Sequence, residues 1–293
     1  MIEAPMRCSA LAVELDEPMI GSVAERRRWL LVEDRSAWGH DAVGDVLGPE
    51  LAAALKSRRV RALLIRRREG DPAADAVRRA ILVDAAAGEM AIRAIDDLAD
   101  LAPDVVADAP VAEFGALLHD PILLVCTNGK RDACCALRGR ALMAALAADH
   151  GERTWESTHL GGHRFAANLV CLPDGIVYGR VTPETGPRLA DAYLDGRVEA
   201  GLLRGRSAWP APAQVAEQTL RVRLALDGLG DVQLLGADVD HDRATVRLGT
   251  TTGAEHEFEL VREAMSPPRP ISCRADELET PVHWRVIEPA DVG

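Results

Sequence analysis

Through roughly the first two-thirds of the chain, short apolar runs bounded by charge alternate with segments whose apolar residues recur at helical spacing. RRRWLLVED (26–34), RVRALLIRRR (59–68), RRAILVDAA (78–86) and MAIRAID (90–96) predict strands. GHDAVGDVLGPELAAALKS (39–57) predicts one or two helical pieces broken at Gly48-Pro49. The acidic, proline-punctuated stretch 97–119 predicts a helix and a linker. PILLVCTNG (121–129) then predicts a buried strand running into a turn. RDACCALRGRALMAALAADHG (131–151) predicts a helix capped by Asp132 and stopped at Gly151. TWEST (154–158) predicts a strand, and FAANLVCLPDGIVYGRV (165–181) a hairpin turning at Pro173-Asp174-Gly175. TPETGPRLADAYLDGR (182–197) predicts a helix, so 121–206 reads as a compact β-α-β-β-α unit. Beyond it come a helix (210–228), meandering antiparallel strands in DVQLLGADVD, RATVRLGTT and HEFELVRE, and a last strand HWRVIE (283–288). No internal repeat is visible in the sequence.

This alternation predicts an α/β fold in three regions: an N-terminal α/β region (1–115), a central unit (116–207) and a C-terminal α+β extension (208–293). The β-α-β-β order of the first region is compatible with a thioredoxin-like half. The 293 residues suit one large domain or two to three small ones, and 48% hydrophobic residues is ordinary for a folded soluble chain. No apolar run reaches the roughly 18 residues of a membrane span, and the acidic start lacks a secretory signal's apolar core. Those features predict a cytoplasmic protein with no membrane partner. A net charge of −12 argues against nucleic acid. Aromatic residues are 3% of the chain, which weakens a carbohydrate-binding reading.

Six cysteines change the picture: Cys8, Cys126, Cys134, Cys135, Cys171 and Cys273. Three of them lie within ten residues, and clustered thiols in a cytosolic chain favour metal or redox use over disulfides. Cys126 ends an apolar strand and Cys135 begins a helix. His159 and His163 follow on a loop with Gly161 and Gly162 between them. The strand–loop–helix–strand–loop order brings these chain ends to one sheet edge. Two thiolates and two imidazoles fit tetrahedral zinc. They equally fit a [2Fe–2S] cluster with cysteines on one iron and histidines on the other. The C-x₈-C loop is wider than a zinc knuckle, but spacing leaves both open.

C-T-N-G-K-R-D-A-C-C from Cys126 and H-L-G-G-H-R-F-A-A-N from His159 resemble the sucrase/ferredoxin-like family. R-C-S-A around Cys8, R-R-W-L-L-V-E (27–33), Tyr178-Gly179-Arg180 and L-R-G-R-S (203–207) extend the resemblance over most of the chain. The resemblance implies a thioredoxin-like ferredoxin domain with a bis-histidinyl [2Fe–2S] cluster on Cys126, Cys135, His159 and His163. Family spacing selects Cys135, with the adjacent Cys134 as the alternative ligand. It implies an electron carrier whose donor and acceptor are other redox proteins. Histidine ligation raises the cluster potential, and a free ring nitrogen couples reduction to proton uptake.

Two other functions fit the same residues: a Cys₂His₂ zinc protein of structural or redox-sensing role, and a cofactor-free thiol oxidoreductase using Cys134 and Cys135. Without the cysteines, His159 and His163 would read as turn histidines bonded to backbone. Cys8, Cys171 and Cys273 read as ordinary thiols, and Trp209 and the tail around Cys273 as structural. Lys130, Arg131 and Arg164 either flank the site or are solvated. Arg180, Arg204 and Arg206 form either a positive patch or surface ion pairs. Neither a glycine-rich nucleotide loop, a nucleophile elbow nor a C-x-x-C motif is present. Any reductant therefore comes from a partner.

Overall fold

The computed structural model describes residues 7–67 and 77–287. Residues 1–6 of the N-terminal stretch, and the last residues of the expected strands 59–68 and 283–288, lie outside them. The fold is mixed α/β, as the alternation predicts: a ten-stranded sheet flanked by helices, with a second, four-stranded sheet.

The first half runs β1 (Arg28–Glu33), α2 (Ala42–Leu47), α3 (Pro49–Ser57), β2 (Arg61–Arg66), β3 (Arg79–Asp84), β4 (Glu89–Ala94), α4 (Pro103–Asp108), α5 (Val111–Phe114) and β5 (Ala116–Leu117). The second runs β6 (Ile122–Cys126), α6 (Ala133–His150), β7 (Thr154–Ser157), β8 (Leu169–Leu172), β9 (Ile176–Tyr178), α7 (Gly186–Leu194) and β10 (Leu203–Arg206). Their order across the sheet is β10-β9-β8-β6-β7-β2-β1-β3-β4-β5. In each half the first two strands are parallel and the outer pairs antiparallel. One topology therefore occurs twice, related by an approximate twofold at the β2–β7 seam. The sequence hides this repeat because what recurs is the burial pattern, not residue identity.

The central strands read as continuous apolar runs because both faces are covered. All five residues of β6 and four consecutive residues of β1 are buried. One core is shared by the halves: Trp29, Leu31, Leu63 and Ile65 pack with Ile122, Leu124, Trp155 and Val170. The seam is short, pairing Ile65 with Ser157 and Arg66 with Glu156. Thr158 extends it, its N–H reaching the Leu64 carbonyl at 2.9 Å and its hydroxyl accepting the Leu64 N–H at 3.0 Å.

Several expectations are adjusted. Residues 39–57 form two helices, with Pro49 starting the second. The helix expected over 182–197 is confined to 186–194, because Thr182 and Thr185 exchange side-chain-to-backbone hydrogen bonds before it. The β-α-β-β-α reading of 121–206 lacked β10 and counted two strands after the helix where β7 and the hairpin β8–β9 supply three. The apolar pattern misses β10 because its two arginines are buried through polar partners. It also missed α1 (Cys8–Glu14), which carries only one turn of buried residues.

The C-terminal part begins with α8 (Ala211–Leu224), which packs on the small sheet β11 (Val232–Asp240), β12 (Arg243–Thr250), β13 (Glu255–Ala264) and β14 (Val282–Val286). The segment between β13 and β14 returns to the second half, where Arg269 is buried and pairs with Glu17 at 3.0 Å. No helix among the described residues is long and apolar enough to cross a membrane.

Candidate metal centre

The chain ends that the strand order was expected to gather do meet. Cys126 closes β6 and Cys135 lies in the first turn of α6. Asp132 caps that helix, accepting the Cys134 N–H at 2.8 Å. Gly139 lets the helix lie against the strand end: a Cβ there would stand 2.1 Å from the Cys126 carbonyl oxygen. One donor atom from each of Cys126, Cys135 and His159 lies within 4.8 Å of the others, and Cys135 Sγ is 3.9 Å from His159 Nδ1. His163 stands outside that set, its ring stacked on His159 with centroids 5.0 Å apart. Its Nδ1 is buried with no hydrogen-bond partner.

Both cysteines are buried and both histidines half-buried. The Cys126 thiol is held well below its usual range, chiefly because the Cys135 thiol donates a hydrogen bond to it; His159 and the Leu160 N–H add to this against burial. Cys135, as that donor, is pushed up. Burial lowers His163, partly opposed by Asp132, whose Oδ2 is 4.0 Å from Nε2. A thiolate and a neutral imidazole are the ligating forms of these side chains.

The histidine loop is braced from behind. Arg61 donates to the His159 carbonyl. Arg204, 3% exposed, donates to the Gly161 carbonyl at 3.1 Å and to Asn168 Oδ1 at 2.8 Å. Asn168 Nδ2 in turn reaches the Gly162 carbonyl at 3.1 Å. Gly161 and Gly162 have φ of +88° and +66°, left-handed conformations that favour glycine. The glycine pair therefore gives the loop its two reversals and lets Arg204 approach closely.

Two of the three flanking cations take definite partners. Arg164 pairs with Glu17 at 2.6 Å, Arg131 contacts the His40 ring, and the Lys130 side chain is exposed. Arg180, Arg204 and Arg206 do not form a positive surface patch. Arg180 bonds the carbonyls of Ala12 and Glu17, Arg204 holds the histidine loop, and Arg206 pairs with buried Glu217 at 2.7 Å. Cations instead gather at a cavity of about 500 Å³ beside His159, lined by Arg26, Lys56, Arg61 and Arg131, with Asp41 the one acid among the described residues that line it. Neither this cavity nor the Arg61 brace was expected from the sequence, because Arg61 lies 98 residues from His159.

The vicinal thiols part company. Cys134 Sγ lies 3.6 Å from Cys8 Sγ and 3.2 Å from Cys273 Sγ, whereas Cys135 faces His159. Cys8 and Cys273, read from the sequence as ordinary thiols, thus meet each other and Cys134. Cys171 is buried within the second half's core, as an ordinary thiol would be. Trp209 lies under the Arg206 guanidinium at 5.1 Å, a packing role.

A family model described as sucrase/ferredoxin-like matches residues 19–205, more than half of the chain. The chain belongs to the sucrase/ferredoxin-like family. Among curated proteins it is 33% identical over 87 residues to "Altered inheritance of mitochondria protein 32" of Meyerozyma guilliermondii, covering 26% of this chain and 31% of that protein. The protein of the same name from Eremothecium gossypii is 31% identical over 121 residues, 35% of this chain and 37% of its own length. The match thus spans about a third of the length of these relatives. No solved structure matches the chain. The family assignment agrees with the resemblance read from the Cys and His motifs.

Proposed function

We propose that this protein is a cytoplasmic electron carrier on a thioredoxin-like ferredoxin scaffold, holding a [2Fe–2S] cluster through Cys126, Cys135, His159 and His163. The donor set fits the group: two thiolates on one side and two imidazoles on the other. The observation that carries the reading is His163, whose buried Nδ1 is unpartnered although the ring stands outside the tight three-donor set. A single ion with bonds of about 2.0–2.3 Å draws four donors to one point. A two-iron core spreads them apart. Bound there, the cluster would supply one-electron transfer at a potential raised by its imidazoles.

The chain's own residues hold and address the site. Arg61 and Arg204 hold the His159 and Gly161 carbonyls and so brace the loop that carries both imidazoles. Their positive charge offsets the negative charge of the thiolates. The cation-lined cavity beside half-buried His159 offers an acidic redox partner a place to approach, on a chain that is otherwise strongly acidic.

Zinc at the same ligands is the second reading, favoured by the three donors within 4.8 Å. The spectra of anaerobically purified protein, before and after dithionite, separate the two. A red-brown protein whose rhombic reduced EPR signal is lost or shifted in Cys135→Ala and His163→Ala supports the cluster. A colourless protein with zinc bound at these four ligands and no sulfide, even after reconstitution, overturns it.

A further inference from the structure

Cys8 begins α1, Cys134 lies in the first turn of α6, and Cys273 sits in the segment between β13 and β14. These three places are brought together across 126 and 139 residues of sequence. Their sulfurs form a nearly equilateral triangle, with sides of 3.6, 3.2 and 3.4 Å. A carboxylate oxygen of Asp132 joins them, all four donor atoms lying within 4.8 Å of one another. Four sites at about 2.3 Å from a tetrahedral zinc are separated by about 3.8 Å. The triangle therefore needs only a small expansion to seat one ion. A disulfide would draw one pair to about 2.05 Å and strand the third thiol. No side of the triangle stands apart as that pair.

We propose that Cys8, Cys134, Cys273 and Asp132 form a second, structural metal site for one borderline-soft divalent ion, zinc above others. Asp132 is already oriented as a ligand. Its two oxygens accept the N–H groups of Cys134 and Cys273, at 2.8 and 3.0 Å. Each oxygen keeps a lone pair, and such outer hydrogen bonds fix ligating carboxylates. Cys8, Cys134 and Asp132 are buried while Cys273 is exposed, so the ion enters from the Cys273 side. On binding, the thiols release their protons to solvent and no oxidant is consumed.

The site also adds to local packing. The buried apolar cluster here is small, Cys8, Cys134 and Ala166, and adds to the ties that Ala12 makes with Phe165 and Arg269 makes with Glu17. One ion would tie α1, α6 and the tail into a single unit. None of its four donors belongs to the proposed cluster set, so the inference stands whatever Cys126, Cys135, His159 and His163 hold.

The test is metal and sulfide content of the anaerobically purified full chain, compared with Cys8→Ser, Cys273→Ser and Cys126→Ser variants. One zinc per chain, in addition to whatever the Cys126 set holds, should be lost from Cys8→Ser and Cys273→Ser and persist in Cys126→Ser. Iron and sulfide should follow the opposite pattern. In case those variants fold poorly, cobalt is titrated into metal-free wild-type protein with and without alkylation of exposed Cys273. One equivalent should give thiolate charge-transfer and tetrahedral d–d bands that alkylation abolishes. Three results overturn the proposal: no zinc or cobalt retained after gel filtration; zinc lost from Cys126→Ser but kept in Cys273→Ser; or a disulfide among the three cysteines in the purified chain.

Discussion

Gly161 and Gly162 invite a paired perturbation, because both are left-handed but only one is crowded. Placing alanine at either costs the left-handed backbone about 1–2 kcal/mol. At Gly161, φ +88°, a Cβ meets nothing within 4 Å, so that cost is the whole effect. At Gly162, φ +66°, the Cβ would stand 2.3 Å from Arg204 Nη2 and 2.6 Å from its Cζ, so the guanidinium must move. Arg204 is buried and also bonds Ser22, at 3.0 Å to Oγ and 3.1 Å to the carbonyl. Each hydrogen bond to a charged group is worth about 1.5–3 kcal/mol. Losing one or two of Arg204's bonds brings Gly162→Ala to about 2.5–8 kcal/mol in all. Guanidinium denaturation with an unchanged slope measures both variants, and metal or cluster content of each measures the loop. Gly162→Ala should lose bound metal while Gly161→Ala largely keeps it. Equal destabilisation by the two would refute the view that Arg204 shapes the loop.

The other predictions are shorter. Gly139→Ala should cost about 1–3 kcal/mol or more and lower occupancy of the Cys126–Cys135 site, since its Cβ meets a backbone carbonyl; unchanged occupancy would refute this helix–strand contact. Glu217→Gln should destabilise by about 3–5 kcal/mol in denaturant titration, because it leaves Arg206 and fully buried Arg221 without their carboxylate. Asp84 is pushed up by burial but held below its usual value by Arg27 and the N–H groups of Ala86 and Ala87. Its stabilisation is therefore complete above an unfolded value of about 3.9 and lost as pH falls through the lower folded value. Asp84→Asn should flatten that part of the acid-unfolding profile. With a cluster bound, the midpoint potential should fall as pH rises between about 6 and 9, by up to about 59 mV per unit; a flat titration would exclude coupled proton uptake.

The strands were legible where burial is two-sided, because ILLVC in β6 and WLLV in β1 leave no polar position to confuse the pattern. The cap at Asp132 and the stop at Gly151 were legible because capping is local chemistry. So were Cys126, Cys135 and His159, since strand, helix and loop order places their chain ends together. Hydropathy could not show β10, whose arginines are buried because Glu217, Asn168 and main-chain carbonyls satisfy them. Nor could it join Cys8 to Cys134 and Cys273, because that contact depends on the tail crossing back after the small sheet. The R-C-S-A stretch at Cys8 was the one local sign, and it gave no partner.

The central unit reads as self-contained in sequence, yet its site is built from both halves and both chain ends. The seam that pairs β2 with β7 carries Arg61 to the histidine loop, and Asn128, just beyond Cys126, donates to the Gly39 carbonyl at 3.2 Å. The shared core buries Trp155, Leu124 and Val170 against strands of the first half, so the second half alone would expose them. At the carboxyl end of its own first strand, the first half places a hydrogen-bonded knot. Asp34 there accepts from Ser36 and from the Trp38 indole at 3.2 Å. The repeat thus uses one scaffold twice and divides its use: the second half presents thiols and imidazoles and braces them with Arg204, and the first supplies its side of the seam, Arg61 and the Gly39 contact.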